Sequence, residues 1–169
     1  MISKKIQTAL NEQLNAELQS GYLYFAMSAH LANANFSGMA NWMNIQGQEE
    51  IAHAAKFYNF ILDRDGQVSL KQIDAPPNKW ASPLAVFKAA YEHEQKVTAL
   101  IGKLVELAGQ EKDHATAAFL QWFVTEQVEE EANALAVVDK LKLAGDHTGA
   151  LFMMDKELGA RAPAPAGGE

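Results

Sequence analysis

Four stretches of this chain each carry a heptad stripe that is apolar toward its ends and acidic near its middle. The second reads Met39, Met43, Gln46, Glu50, His53, Phe57, Phe60. That four-three alternation is the seam an α-helix buries against its neighbours. The first runs Leu10, Leu14, Glu17, Gly21, Tyr24, Ser28, Leu31, and the third Phe87, Tyr91, Glu94, Thr98, Ile101, Val105, Ala108. The fourth runs Leu120, Phe123, Gln127, Glu130, Ala134, Val137, Leu141. A buried, unpaired carboxylate costs several kcal/mol, so four helices that each carry one need a common remedy. A cation bound at the middle of the bundle supplies it.

Capping signals bound the helices. The first is expected over roughly 4–34 with Ser3 as N-cap, and the second from Ser37 to Asp65 with Gly66 as the stop. The third follows Ser82-Pro83, with Pro at the first helical position, and runs to about Ala108-Gly109. The fourth starts after Asp113 and ends near Ala144-Gly145. A short fifth helix is expected from about His147 to Leu158. Short joints make helices one and two antiparallel neighbours, and likewise three and four. Between two and three lie residues 67–81, containing Pro76-Pro77 and no helical period. A helix of ~28 residues is about 42 Å long, and fifteen extended residues reach at most ~54 Å. The crossover can therefore run the length of the bundle and leave helices two and three parallel. Its apolar Val68, Leu70 and Ile73 are expected to pack on something, a second subunit being one candidate.

With that topology the helix midpoints meet. Glu17 and Glu94 then supply single carboxylates, and Glu50 with His53 a Glu-x-x-His pair. The fourth helix offers Gln127-Val128-Glu129-Glu130 with no histidine. Carboxylates can bridge two metals, and imidazole suits iron. Glu50 is the expected bridge: one metal takes Glu17, Glu50 and His53, and the second Glu50, Glu94 and Glu130. Gln127 can hydrogen-bond a metal-bound ligand. Tyr24, two turns from Glu17, can do the same or donate an electron. Glu49, Glu126 and Glu129 exceed what two metals need. Together they form a third cation site, or else Glu126, Glu129 and Glu131 are a solvated acidic face. His30, His93, His114 and His147 fall off the stripes and are expected at the surface. Trp42 and Trp122 read as packing residues, and Trp80 as an anchor for a subunit contact.

Composition narrows the class. At 169 residues the chain makes one domain able to bury a core. A net charge of -7 argues against general nucleic-acid binding. The absence of cysteine excludes disulfides, thiolate metal sites and thiol nucleophiles. No apolar run is long enough to span a membrane, and no secretory signal opens the chain. A cytoplasmic location is the expectation.

At Glu17, Tyr24, Glu49-Glu50, His53, Glu94 and Glu126-Gln127-Val128-Glu129-Glu130 the chain resembles the bacterial haem-free ferritins, over nearly everything from Met1 to Arg161. The resemblance implies an all-α, ferritin-like four-helix bundle over 1–161, with one long crossover and a short fifth helix lining a fourfold pore. The tail 162–169 is expected to be disordered. It also implies a shell of 24 subunits, Fe(II) oxidation by O2 or H2O2 at an intrasubunit diiron centre, and ferric mineral storage inside. A third iron site of Glu49, Glu126, Glu129 and Glu130 comes with it. Haem-binding ferritins place a methionine where Ala52 stands and carry a second Glu-x-x-His on the fourth helix. Both are missing here, so no haem is expected. The alternatives are a diiron oxygenase or peroxide-scavenging enzyme without mineral storage, and a bundle without metal.

Overall fold

The computed structural model describes residues 2–163. It contains α1 (Lys4–Asn33), α2 (Ser37–Asp63), α3 (Pro83–Gln110), α4 (His114–Ala144) and α5 (Thr148–Leu158), with no strand among the described residues. The tail from residue 164 onward, for which disorder was expected, lies outside the described residues. Among the described residues, no helix is long and apolar enough to cross a membrane.

The helix starts obey the sequence signals. Ser3 Oγ accepts from the Ile6 amide, Ser82 Oγ from Ala85, and Asp113 from Thr116, each closing an orphan donor of a first turn. The ends depart from them. Helices α1, α2 and α3 all finish in the same two-bond motif, in which Phe36, Gly66 and Asp113 amides reach back five residues to Leu31, Ile61 and Ala108 carbonyls. The left-handed residues that turn the chain are Asn35 (φ 64°), Asp65 (φ 55°) and Lys112 (φ 53°), and none is glycine. Gly66 therefore comes after the turn instead of making it, and α2 stops at Asp63, two residues earlier than expected.

α1 packs on α2 and α3 on α4, with α5 folded back across the α2 and α4 ends. The crossover runs alongside α1 and in the same direction, held by a ladder of carboxamides spaced four residues apart. Gln7 Oε1 accepts from the Gln67 amide. Asn11 bonds the Gln67 carbonyl and the Ser69 amide, and Asn15 the Ser69 carbonyl and the Lys71 amide. Gln19 bonds both backbone groups of Asp74. Four helical residues rise about 6 Å and two extended residues about 6.6 Å, so the rungs at Gln7, Asn11 and Asn15 meet alternate residues, and the last step, from Lys71 to Asp74, spans three. Val68 turns inward onto the core, while Leu70 and Ile73 remain exposed.

The core has two apolar halves. One gathers Met27, Leu31, Met39, Phe87 and Leu141. The other gathers Leu10, Phe57, Ile61, Ile101, Leu120 and Phe123. Between them lies a polar slice. There α1 and α2 approach closely: a Cβ on Gly21 would stand 2.8 Å from Ile51 Cδ1 and 3.1 Å from the Gly47 carbonyl oxygen.

Candidate metal centre

The polar slice is built from the interrupted stripes. Glu17 on α1, Glu50 and His53 on α2, Glu94 on α3, and Gln127 and Glu130 on α4 are all at most 5% exposed. Glu17, Glu50 and His53 each bring a ligand atom within 4.8 Å of the other two, and so do His53, Glu126 and Glu130. The first group is the expected first metal set. The second differs from the expected Glu50-Glu94-Glu130: it shares His53 and draws in Glu126. Glu94 lies outside both groups, because its carboxylate accepts from Tyr24 and, at 3.2 Å, from Gln127.

Carboxamides hold the acids in place. Gln13 donates to Glu17 at 2.7 Å, and Gln46 donates to Glu50 at 3.1 Å and to Glu130 at 2.7 Å. Gln13 and Gln46 precede Glu17 and Glu50 by four residues, one helical turn, which is the sequence signal that could have found them. Gln127 also reaches the Thr98 hydroxyl, which donates to Glu131. That contact takes Glu131 out of the wholly solvated face. The second oxygen of Glu17, Oε2, is buried without a donor. Glu50 and His53 are its neighbours in the cluster, and a proton shared with Glu50 or a bound cation would satisfy it.

The charges report the same need. Burial pushes the Glu17 carboxyl well above the usual carboxylate range, with the Glu50 charge adding to it. Burial, then Glu94 and Glu130, does the same to Glu50. Burial raises Glu94 against the opposing donors Tyr24 and Gln127. Burial and Glu94 push Glu130 up to about 7, with Gln46 opposing. The Tyr24 phenol is driven upward by burial and by Glu94, so it stays protonated. Like charges crowded into a dry site hold protons until a metal replaces them. Carboxylate oxygens with one imidazole suit iron, and zinc as a redox-silent probe.

The remaining candidates are spread over the rim. Glu126 is half-buried, raised by burial with His53 opposing and Glu129 and Glu49 adding. Glu129 is exposed. Glu49 is half-buried and paired with Arg161, a partner the sequence did not suggest. His93, expected at the surface, is half-buried. Its Nε2 meets Ser20 Oγ at 2.8 Å and its ring stands edge-on to Tyr24. Burial, with the Lys96 cation, lowers it to about 4, so it is neutral. Ser20 donates to the Ala16 carbonyl and so accepts from His93. His30 is also half-buried, with its ring 5.3 Å from that of Trp80, which packs within its own chain against the core. His114 and His147 are exposed. Trp42 packs edge-on to Phe87, and Trp122 edge-on to His53 beneath Lys56.

Comparison with known proteins identifies the family. The ferritin-like domain family matches residues 7–144. A bacterial non-heme ferritin of Bacteroides fragilis is 47% identical over 161 residues, 95% of this chain and 100% of that one. Another, of Staphylococcus aureus, is 40% identical over 95% and 97%. Among solved structures, an open pore ferritin from Archaeoglobus fulgidus superposes with a TM-score of 0.95 at 51% identity, covering 96% of this chain and 99% of that one. A closed form of that ferritin, engineered by site-directed mutagenesis, gives 0.96 at 50%, covering 97% and 100%. The chain belongs to the ferritin family, and among its members it resembles the bacterial non-heme ferritins.

Proposed function

We propose that this protein stores iron by oxidising it: a ferroxidase whose buried slice takes Fe(II) as substrate and passes Fe(III) to a mineral held inside a 24-subunit shell. The observation that carries the reading is the slice itself, four buried glutamates and a histidine with one carboxylate oxygen left without a donor. Family membership supports iron storage. Exposed Leu143, Phe152 and Met153 at the α4–α5 bend, and Leu70 and Ile73 on the crossover, supply apolar surface for neighbouring copies to cover.

The chemistry comes from the donor set. Glu17, Glu50 and His53 bind one Fe(II), and Glu130 with Glu50, His53, Glu126 and Glu94 offers ligands for the second. Anionic oxygen donors favour Fe(III) over Fe(II), because the higher charge gains more from them. Each Fe(II) gives up one electron. Two electrons and two protons convert O2 to H2O2, or H2O2 to two waters. The protons held by Glu17, Glu50 and Glu130 leave as metal binds. Tyr24 keeps its proton on the Glu94 carboxylate and so orients that ligand. It also stands close enough to serve as an electron donor. Glu49, Glu126 and Glu129 would hold a third ion that supplies the pair.

The test is iron retained after Fe(II) is added in air, with iron and protein measured across the same size-exclusion peaks. Many iron atoms per subunit in a shell-sized particle is the expected result. About two or three per subunit with no further uptake would point to a diiron oxygenase or peroxide scavenger. No retained iron would overturn the reading.

A further inference from the structure

Arg161 stands three residues beyond the end of α5, yet its side chain reaches the rim of the centre. One guanidinium nitrogen donates to the Trp42 carbonyl at 3.3 Å and to Gln46 Oε1 at 2.9 Å, and another pairs with the Glu49 carboxylate. The guanidinium carbon lies 4.3 Å from the Trp42 ring centroid. Gln46 links these contacts to the slice. A guanidinium only donates, so Gln46 must turn its oxygen to Arg161 and its amide hydrogens to Glu50 and Glu130.

Two features make this cation replaceable. The first is that the backbone does not depend on it. Asn41 Nδ2 holds the Arg161 carbonyl at 3.1 Å, and Asp155 Oδ1 accepts from the Met39 amide at 2.8 Å. Gly38 and Gly159 meet backbone to backbone, leaving no room for a Cβ. The second is that both partners of the ion pair are about one-fifth exposed, within reach of an incoming ion. Glu49 is near enough to Glu126 and Glu130 to raise both by its charge.

Resting on the ferroxidase reading of the centre, we propose that Arg161 is a displaceable resident cation. It holds Glu49 and the Gln46 carboxamide in place, and it yields Glu49 when a further divalent ion binds beside Glu126 and Glu130. Arg161 is thus a positioning residue, acting through Gln46 and Glu49. It sets the threshold concentration at which the rim takes an ion after the inner pair is full. A lysine would keep the charge but lose the planar fork on Trp42 and Gln46.

The test uses Zn2+ and the assembled protein. Equilibrium dialysis at buffered free Zn2+ compares the wild type with R161Q and R161K. The expected result is that the ion at the rim binds about tenfold tighter in R161Q, which has no competitor for Glu49, and near the wild-type value in R161K, while the first two ions stay within about threefold. Equal or weaker rim binding in R161Q, with the first two ions retained, would overturn the proposal. A second measurement serves if R161Q does not assemble. Trp80→Phe with Trp122→Phe leaves Trp42 as the one indole. Its emission should change as the rim ion binds and the guanidinium leaves its face, and unchanged emission with the rim ion bound would equally overturn the proposal. If the wild type itself fails to bind the first two ions, the ferroxidase reading falls and takes this proposal with it.

Discussion

Glu17 shows most directly what the site costs when empty. One oxygen has Gln13, and the other is buried with no donor. Glu17→Gln keeps the shape, keeps an acceptor for Gln13 and gives Glu50 a donor. The metal-free variant should gain on the order of 1 kcal/mol in denaturant unfolding and lose at least about tenfold in Zn2+ affinity. Unchanged Zn2+ affinity would remove Glu17 from the ligand set. Glu130 adds a pH dependence whose sign is the reverse of an ordinary surface carboxylate. Its folded value of about 7 lies above the unfolded value of 4.5, so the native state holds the extra proton between them. Its contribution is present below pH 4.5 and is lost as pH rises through about 7. The metal-free protein should therefore show a lower denaturant midpoint at pH 8 than at pH 5, and Glu130→Gln should flatten that difference. The candidate ligands Glu17, Glu50, His53, Glu94 and Glu130 were legible in the sequence as buried polar residues because each breaks an apolar stripe. Arg161 and His93 were not. One reaches the centre only because the chain folds back after α5, and the other is buried by the neighbouring helix and not by its own stripe.

At the scale of the elements, the starts were legible and the stops less so. Ser3, Ser82-Pro83 and Asp113 carry their caps in their side chains. The left-handed turns at Asn35, Asp65 and Lys112 are imposed by the packing of the next segment, and a lysine there gives no local warning. A side chain at positive φ is strained, so Asp65→Gly and Lys112→Gly should each stabilise the fold by about 0.5–1 kcal/mol, measured by denaturant unfolding of the assembled protein. A loss of that size at position 65 would mean that the aspartate makes a compensating contact. The crossover's length and direction came out of loop arithmetic. Its attachment did not, because the spacing of Gln7, Asn11, Asn15 and Gln19 looks like any polar helix face until an extended partner is laid beside it.

For the molecule as a whole, the slice divides one bundle into two half-cores that touch mainly through acids. Metal bound in the slice should tie them together. At a hundred to a thousand times the dissociation constant it should add about 3–4 kcal/mol. The gain should fall where the metals sit. Hydrogen exchange in Zn2+ against chelator should slow at the middles of all four long helices, around Glu17, Glu50, Glu94 and Glu130. Slowing confined to the helix ends would place the ions elsewhere. The all-α class and the position of the polar slice could be read from the stripes, and the single crossover from the length of the loop. What covers the exposed Phe152 and Leu70 could not be read, because neither side chain names a partner.

The carboxamide ladder makes the crossover an exception among loops. Surface connections ordinarily accept insertions and deletions with little penalty. Here the segment from 67 to 71 is read two residues at a time by α1. One residue inserted after Val68 would turn every later backbone pair away from its amide and carry its side chains to the opposite side. Two inserted residues would restore the phase one rung later. The thermal midpoint should therefore fall further with one added residue than with two, a parity rule that a flexible tether would not obey. Between residues 67 and 71, length changes in even steps should be tolerated better than odd ones.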